Sequence, residues 1–290
     1  MKPRKEVEEV KEKKGGVAVF FDLDGTVVAL PSLEMRLFRT LRYRRAIRTK
    51  NYFLWLREAL RLIPRGISAI LQANKMVLRG VQTFDERGEG DGDVFSRHKD
   101  GHQAEGQASA PPRRYPRLPV PAFFQQAIKR VVWHGKQGHE IVLISGTLEP
   151  LARAAARAME AELGARGIMT TIRVCATRLE EMDGRWTGRV VGEARFGEAK
   201  ARAAKRLAEE MGLDLGRCYA YSDSLNDRWL MAAVGRPAAV NPSKDLVNIA
   251  RARGWPVLNW KEKESLTQRH RGRSAQRHCR MELVRPENPE

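Results

Sequence analysis

The sequence predicts an α/β protein with a doubly wound, mostly parallel sheet and a helical segment inserted after the first strand. Short apolar runs at 17–21, 141–144 and 218–222 have the length and composition of buried strands, and helical periodicity follows the later two. Residues 33–80 repeat apolar side chains at helical spacing soon after the first strand. Strands that alternate with helices favour a parallel sheet.

The first strand ends in two carboxylates, Asp22 and Asp24, and a Gly-Thr turn follows them. Side chains alternate along an extended chain, so Leu23 points away and both acids lie on one side of the strand end. Two adjacent carboxylates repel each other unless one binds a proton or a cation lies between them, and Mg²⁺ prefers oxygen ligands. An Asp-rich turn that only closes the strand is the alternative, and the sequence on both sides of the pair favours a site.

The second strand precedes a run of small polar residues. Ser145, Gly146 and Thr147 follow the apolar run 141–144, and a helical stretch begins soon after them. We predict a strand, a tight turn and a helix whose N-terminus could bind phosphate. An ordinary helix cap is the alternative for this run taken alone.

Two further segments carry charged residues. Lys200 lies near the start of a helical stretch that continues through 211, where it could reach a phosphate group as a point charge. Asp223 and Asp227 bracket one turn after the apolar run 218–222. A solvated lysine and an aspartate cap are the alternatives, and a cap explains one of these aspartates better than both.

In order, these segments resemble the four motifs of the haloacid dehalogenase superfamily: Asp-x-Asp-Gly-Thr, Ser-Gly-Thr, a lysine, and Ser-Asp-Ser-x-Asn-Asp. The segments 176–188 and 239–242 are similar to subfamily IB, the phosphoserine-phosphatase-like group. The resemblance implies a Rossmann-like α/β core at 16–32 and 116–262, with a helical cap at 33–84. The apolar side chains at helical spacing in that cap are Phe53, Leu54, Leu56, Leu60, Ile63, Ile67, Ile70 and Leu71.

The same resemblance implies a role for each motif residue. Asp22 would attack phosphorus to form an aspartyl-phosphate, and Asp24 would protonate the leaving oxygen and then activate water. The implied Mg²⁺ ligands are the Asp22 carboxylate, the Asp24 carbonyl and Asp223. The implied phosphate ligands are Ser145, the Gly146 N–H and Lys200. Asn226 and Asp227 would orient the water shell of the metal and Lys200. A carboxylate at position 24 favours phosphomonoester hydrolysis or phosphotransfer over dehalogenation.

The substrate is less constrained than the reaction. The amino-acid-specific members that the chain resembles carry a glutamate shortly after the nucleophile and an arginine in the cap. Glu34 and Arg79 are the nearest candidates, and their spacing secures neither. We therefore expect a small phosphorylated substrate, with a lipid-derived one as an option, and transfer to an acceptor other than water stays open.

Three segments outside the core and cap are polar or charged. Residues 1–15 predict a charged N-terminal arm, 85–115 a polar, disordered linker, and 263–290 a basic, disordered tail, because such compositions bury little apolar surface. The linker departs from the family pattern, where further amphipathic cap helices are expected, so closure of the cap over the site is open. Asp183 and Gly184 predict a β-hairpin.

The net charge of +18 suggests an anionic partner. Within 36–79 the chain carries one acid, Glu58, and many bases: Arg36, Arg39, Arg42, Arg44, Arg45, Arg48, Lys50, Arg57, Arg61, Arg65, Lys75 and Arg79. One alternative to an enzyme is therefore a catalytically weak core whose basic cap and tail bind anionic lipid or RNA. An arginine-rich surface with no specific partner is at least as good an explanation, and no nucleic-acid motif with interleaved aromatic residues is evident.

The remaining features predict a cytoplasmic protein. Cys175, Cys218 and Cys279 show no metal-binding or redox spacing, which favours reduced thiols. The segment 2–14 lacks the apolar centre of a signal peptide. The longest apolar region, 52–63, is too short and too interrupted by charges to be a transmembrane segment.

Overall fold

The computed structural model describes residues 15–67, 70, 73–83 and 121–260 of the 290-residue chain. The predicted linker at 85–115, the tail at 263–290 and all but the last residue of the predicted arm lie outside the described residues. The predicted domain boundaries stay predictions.

The described residues form a central parallel sheet and one two-stranded hairpin. The sheet strands are β1 (Ala18–Phe21), β2 (Glu140–Leu148), β3 (Ile172–Thr177), β6 (Tyr219–Ser222), β7 (Arg236–Val240) and β8 (Val257–Leu258), and the hairpin strands are β4 (Leu179–Met182) and β5 (Arg185–Val190). Their order in the sheet is β3-β2-β1-β6-β7-β8, with every neighbouring pair parallel. The chain winds outward from β1 to β3, returns to β6 beside β1, and winds outward again to β8. The predicted doubly wound α/β class is therefore confirmed.

Helices cover both faces of this sheet. The α-helices are α1 (Leu33–Tyr43), α2 (Thr49–Leu62), α3 (Gln125–Lys136), α4 (Glu149–Gly164), α5 (Glu198–Met211), α6 (Arg228–Ala233) and α7 (Lys244–Ala252), with 3₁₀ turns at Ile63–Arg65, Met76–Leu78 and Leu225–Asp227. Val19 and Phe21 of β1 share a buried cluster with residues of α3 and α4, whereas Ala18 and Phe20 share another with α5 and α6. Alternating side chains of a buried parallel strand thus contact both helical layers.

Among the described residues, α1 and the segment 80–83 attach the cap to the rest of the protein. Helix α1 buries Leu33, Leu37 and Leu41 in the same cluster as β1. The segment 80–83 runs along the hairpin: the Gly80 N–H donates to the Trp186 carbonyl at 2.7 Å, and the Trp186 N–H donates to the Val81 carbonyl at 2.9 Å. Helix α1 is therefore anchored in the core, and the segment 80–83 is anchored on the hairpin.

One local prediction differs from the structure. Ser145, Gly146 and Thr147 were expected in a tight turn, but β2 continues through them to Leu148, and α4 begins at Glu149. The pairing of β2 with β3 shifts register between Ile144 and Leu148. The run is therefore an irregular strand end rather than a turn, and it directly precedes Leu148, the N-cap of α4.

The hairpin predicted from Asp183 and Gly184 is present between β4 and β5. Both residues have positive φ, 51° and 69°, as a type I′ turn requires. Among the helices of the described residues, none combines the length and apolar character needed to cross a bilayer.

Candidate active site

The candidate site lies where three adjacent strands end. Strand β1 runs between β2 and β6, so the residues that follow β1 and β6 meet the polar end of β2. The Asp22 N–H donates to the Tyr221 carbonyl at 2.9 Å, which fixes Asp22 against the end of β6. This is the point at which the winding of the sheet changes direction, and open α/β sheets bind ligands at such points.

Lys200 joins two of the predicted aspartates. Its Nζ donates to Asp22 Oδ1 at 2.6 Å and to Asp227 Oδ2 at 2.6 Å, and all three side chains are buried. The Ser222 hydroxyl also donates to Asp227 Oδ2, at 2.6 Å. Asp227 therefore acts as a buried partner that orients Lys200, although it is the residue that precedes α6 and was a candidate helix cap.

Asp223 lies close to Asp22, and Thr26 contacts both side chains. The Thr26 hydroxyl lies 3.4 Å from Asp22 Oδ2 and 3.5 Å from Asp223 Oδ1, so it bridges the two carboxylates. Gly25 makes this approach possible because it has a φ of 87° and no side chain. A Cβ at this position would lie 2.1 Å from Asp223 Oδ2.

Asp24 is oriented by the cap and by β2. Its Oδ1 accepts a hydrogen bond from the Leu33 N–H at 2.8 Å, at the first residue of α1. Its Oδ2 accepts a hydrogen bond from the Thr147 hydroxyl. The second carboxylate of the motif is thus held by groups from two elements, whereas Asp22 accepts a hydrogen bond from Lys200.

A cavity of about 770 Å³ opens over these groups. The predicted site residues that line it are Asp22, Asp24, Ser145, Gly146, Lys200, Asp223, Asn226 and Asp227. The structure therefore brings the whole predicted set to one cavity. Ser145 is almost fully buried, and its Oγ accepts a hydrogen bond from the Thr147 N–H at 3.2 Å.

Burial and crowding of negative charge change the ionisation of the site. Burial raises the pKa of Asp22 to about 8; Lys200 opposes the shift, and Asp227 and Asp223 add to it. Burial also raises the pKa of Asp223 to about 6, with Asp227 adding to the shift and Lys200 opposing it. Burial disfavours the Lys200 ammonium, but Asp22 and Asp227 outweigh burial and raise its pKa. The site therefore holds more carboxylates than its lysine can neutralise.

Comparison with known proteins agrees with this geometry. The family model for haloacid dehalogenase-like hydrolases matches residues 19–232, which include every predicted site residue. The chain belongs to the haloacid dehalogenase-like hydrolase family. The resemblance that the motifs carried is thereby confirmed.

Two curated relatives and one solved structure extend the comparison. A probable phosphatase of Mycobacterium tuberculosis is 38% identical over 150 residues, covering 52% of this chain and 48% of the relative. A phosphoserine phosphatase of the same species is 36% identical over 148 residues, covering 48% and 45%. The chain thus spans about half the length of these relatives. A protein of unknown function from Bordetella pertussis Tohama I has a TM-score of 0.55 and 28% identity, covering 84% of this chain and 99% of that protein.

The donor set of this haloacid dehalogenase-like site fits Mg²⁺. Within the described ranges, no group of three His, Cys, Asp or Glu side chains is arranged to enclose a metal ion. Mg²⁺ is ordinarily held by only one or two carboxylates, with waters and substrate phosphate completing the octahedron. Asp22 and Asp223, bridged by Thr26, supply two such carboxylates. Burial, together with repulsion from neighbouring aspartates, raises the pKa of both, and a bound divalent cation would favour their charged forms.

Several residues that shape the site had no predicted role of their own there. Thr26 and Thr147 are part of the recognised motifs, so their positions gave a signal, but no local pattern indicated which carboxylate each contacts. Lys75 was counted with the basic residues of the cap, but it is 4% exposed, lies in the cavity wall and pairs with Glu34. The pairing joins residues 41 positions apart, which no helical or strand spacing predicts.

Proposed function

We propose that the protein is a Mg²⁺-dependent phosphomonoester hydrolase that works through an aspartyl-phosphate on Asp22. One observation carries the proposal: Asp22 lies in the cavity wall with the Lys200 ammonium at 2.6 Å, while Asp24 lines the same cavity. A nucleophile, a cation for the phosphoryl oxygens and a separate acid/base are thereby brought together. The names of the two mycobacterial relatives support the same reaction class.

In the first step, an Asp22 carboxylate oxygen attacks phosphorus and the bond to the leaving oxygen breaks. Asp24 gives its proton to that oxygen, so the organic product leaves as an alcohol. In the second step, Asp24 takes a proton from water, and the water oxygen attacks phosphorus. The P–O bond to Asp22 breaks, inorganic phosphate leaves, and both carboxyl groups return to their starting states.

The groups around Asp22 bind and neutralise the transferred phosphoryl group. Lys200, the Ser145 hydroxyl and the Gly146 N–H would bind its oxygens, while Asp227 and Ser222 hold Lys200 in place. Asn226 lines the cavity beside them and would order water there. Phosphoryl transfer depends mainly on such positioning and charge neutralisation.

The carboxylates of Asp22 and Asp223 and the carbonyl of Asp24 would hold the Mg²⁺ ion. When bound, it supplies positive charge that relieves the repulsion among the aspartates and stabilises the phosphoryl oxygens. The Asp223 side chain takes no part in bond formation or proton transfer, so its contribution would be to metal affinity.

The cavity wall supports a substrate with an apolar organic group. Met35, Phe38, Tyr52, Trp55 and Val77 line it together with the aspartates. Such a wall favours an aryl or acyl-bearing phosphomonoester, and lipid-derived phosphates are included in that class.

The features expected for an amino-acid substrate are weaker. Glu34 lines the cavity but is paired with Lys75, which would compete with a substrate ammonium. Arg79 is exposed and is not among the lining residues. We therefore propose that phosphoserine is a poorer substrate than an apolar phosphomonoester.

A phosphate-release assay tests the proposed function. With Mg²⁺, the protein should hydrolyse an aryl phosphate, and Asp22→Asn should lower kcat by at least roughly 10³-fold, the scale expected when a nucleophile is removed. Asp245→Asn is the matched control, because Asp245 is exposed in the first turn of α7. A panel of aryl phosphate, phosphoserine and a lysophospholipid phosphate would rank the substrates. Absence of phosphate release from the folded, Mg²⁺-loaded protein across the panel would reject the proposal.

The alternative of a catalytically weak core finds no support in the site. The predicted nucleophile, acid, lysine and metal ligands all line one cavity.

We also propose a cytoplasmic location. Cys175 and Cys218 are free thiols, as that compartment would maintain them. Cys279 lies outside the described residues.

A further inference from the structure

Helix α2 carries a row of large apolar side chains that point to solvent. Phe53 is 74% exposed, Leu56 52% and Leu60 60%, and the row continues past the helix to Ile63, which is 58% exposed. We call these four residues the exposed α2 face. An exposed leucine or two is ordinary on a protein surface, but a contiguous set along one helix marks an interaction site.

This face is separate from the one that attaches α2 to the protein. Asn51, Ala59 and Leu62 are the buried residues of the helix. At about 100° per residue, the exposed α2 face occupies an arc on the opposite side of the helix from Asn51 and Leu62. The helix therefore has more apolar surface than packing against the protein requires.

Basic side chains lie next to the exposed α2 face. Lys50, Arg57 and Arg61 are exposed and share an arc of the helix adjoining Phe53 and Leu60. Arg44 and Arg45, in the loop before α2, are also exposed. The single acid of the helix, Glu58, lies 3.3 Å from Arg61 in an exposed ion pair, and such pairs contribute little and are easily exchanged.

We propose that the exposed α2 face docks on an anionic lipid bilayer. Apolar side chains beside a basic arc are the arrangement of helices that lie in a membrane interface, where the side chains enter the acyl boundary and the cations contact lipid phosphates. A second copy fits less well, because a symmetric contact would bring the same arginines of both chains together. Charge complementarity thus selects the bilayer.

Docking in this way would place the cavity at the membrane surface. Tyr52 adjoins Phe53, is 42% exposed, and also lines the cavity. Helix α2 therefore contributes both to the wall of the cavity and to the docking face. Binding itself does not depend on the proposed catalysis, so the two proposals can fail separately.

Vesicle flotation of the full chain tests the proposal. The probes are vesicles of phosphatidylcholine alone and of phosphatidylcholine mixed with phosphatidylglycerol. We expect binding to the mixed vesicles that weakens as salt is raised, and little binding to the neutral ones. The double variant Phe53→Ser, Leu60→Ser should weaken that binding roughly tenfold or more, because two side chains no longer enter the bilayer.

Matched variants separate docking from general surface effects. Met169→Ser removes a side chain that is 90% exposed elsewhere, and it should leave vesicle binding unchanged. Arg57→Gln should weaken binding about fivefold, as expected for one cation near an anionic surface, whereas Arg251→Gln on α7 should not. Thermal unfolding followed by circular dichroism shows whether each variant is folded, independently of activity.

Three results would overturn the proposal. The first is no binding of the folded chain to the mixed vesicles. The second is binding that the Phe53→Ser, Leu60→Ser variant retains in full. The third is a dimer in analytical ultracentrifugation that this variant dissociates while vesicle binding is absent, since a second copy would then cover the face.

Discussion

Gly25 and Asp223 are in such close contact that a Cβ on Gly25 would lie 2.1 Å from Asp223 Oδ2. The contact requires both the absence of a side chain and the positive φ of 87° at Gly25. The glycine of the first motif therefore determines where the carboxylate of the fourth motif lies.

Gly25→Ala should displace Asp223 and so weaken Mg²⁺ binding. The added methyl group would overlap Oδ2, and we expect the Mg²⁺ concentration for half-maximal activity to rise roughly tenfold or more, as when a ligand is disturbed. Gly167→Ala is the matched control, because Gly167 also has a positive φ, 74°, but has no atom within 4 Å of the added Cβ. Equal Mg²⁺ requirements in the two variants would show that the contact with Asp223 is unimportant.

Lys200→Met should lower both stability and turnover. The change leaves the carboxylates of Asp22 and Asp227 buried without their shared cation, which typically costs about 3–5 kcal/mol for a broken buried pair. Chemical denaturation measures this loss, and Lys205→Met, at an exposed position of the same helix, should change stability by less than about 1 kcal/mol. The prediction fails if both variants unfold at the same denaturant concentration.

Thr147→Val should lower kcat more than it raises KM. The Thr147 hydroxyl donates to Asp24, so its loss should leave the proposed acid/base less well oriented, at a cost of about 1 kcal/mol or more in the transition state. Steady-state kinetics should show a fall of about tenfold in kcat, with the protein still folded. Thr187→Val is the control, since that hydroxyl donates to Glu180 at 2.7 Å in the hairpin. A kcat equal to that of the control would contradict a positioning role.

Mg²⁺ should stabilise the protein more at pH 8 than at pH 5. Burial raises the pKa of Asp22 to about 8 and that of Asp223 to about 6, both above the ordinary value of 3.8. Groups whose pKa is raised on folding contribute stability at low pH and lose it as pH rises through the raised values. The metal-free protein should therefore lose stability between pH 4 and pH 8, and the bound cation should restore it.

Thermal unfolding with and without Mg²⁺ checks this pH dependence. At a concentration 100-fold above its Kd the ion contributes about 2.7 kcal/mol, which corresponds to a rise in Tm of about 5 °C. Asp223→Asn should reduce both the Mg²⁺ effect and its dependence on pH, because one of the titrating groups is gone. A Tm increment that is the same at both pH values would contradict the assignment of these carboxylates.

The sequence also predicted some helices and strands without predicting what packs against them. The apolar repeat in 53–71 predicted helix, and α2 is helical through Leu62, yet Phe53, Leu56 and Leu60 are exposed. Periodicity shows that apolar side chains share a face, but it does not show which surface covers that face. In the same way, the small residues 145–147 indicated a break in β2, and pairing with β3 decided that the break is an irregular strand instead of a turn.

The sequence by itself determined the fold class and the order of the motif residues, because strand composition, helical periodicity and motif spacing are local properties of the chain. Only the tertiary structure decided that Lys200 bridges Asp22 and Asp227, that Thr147 holds Asp24, and that Lys75 pairs with Glu34. These contacts join residues 178, 123 and 41 positions apart for the Lys200–Asp22, Thr147–Asp24 and Lys75–Glu34 pairs. Such contacts depend on strand order and cap packing, which no local pattern records.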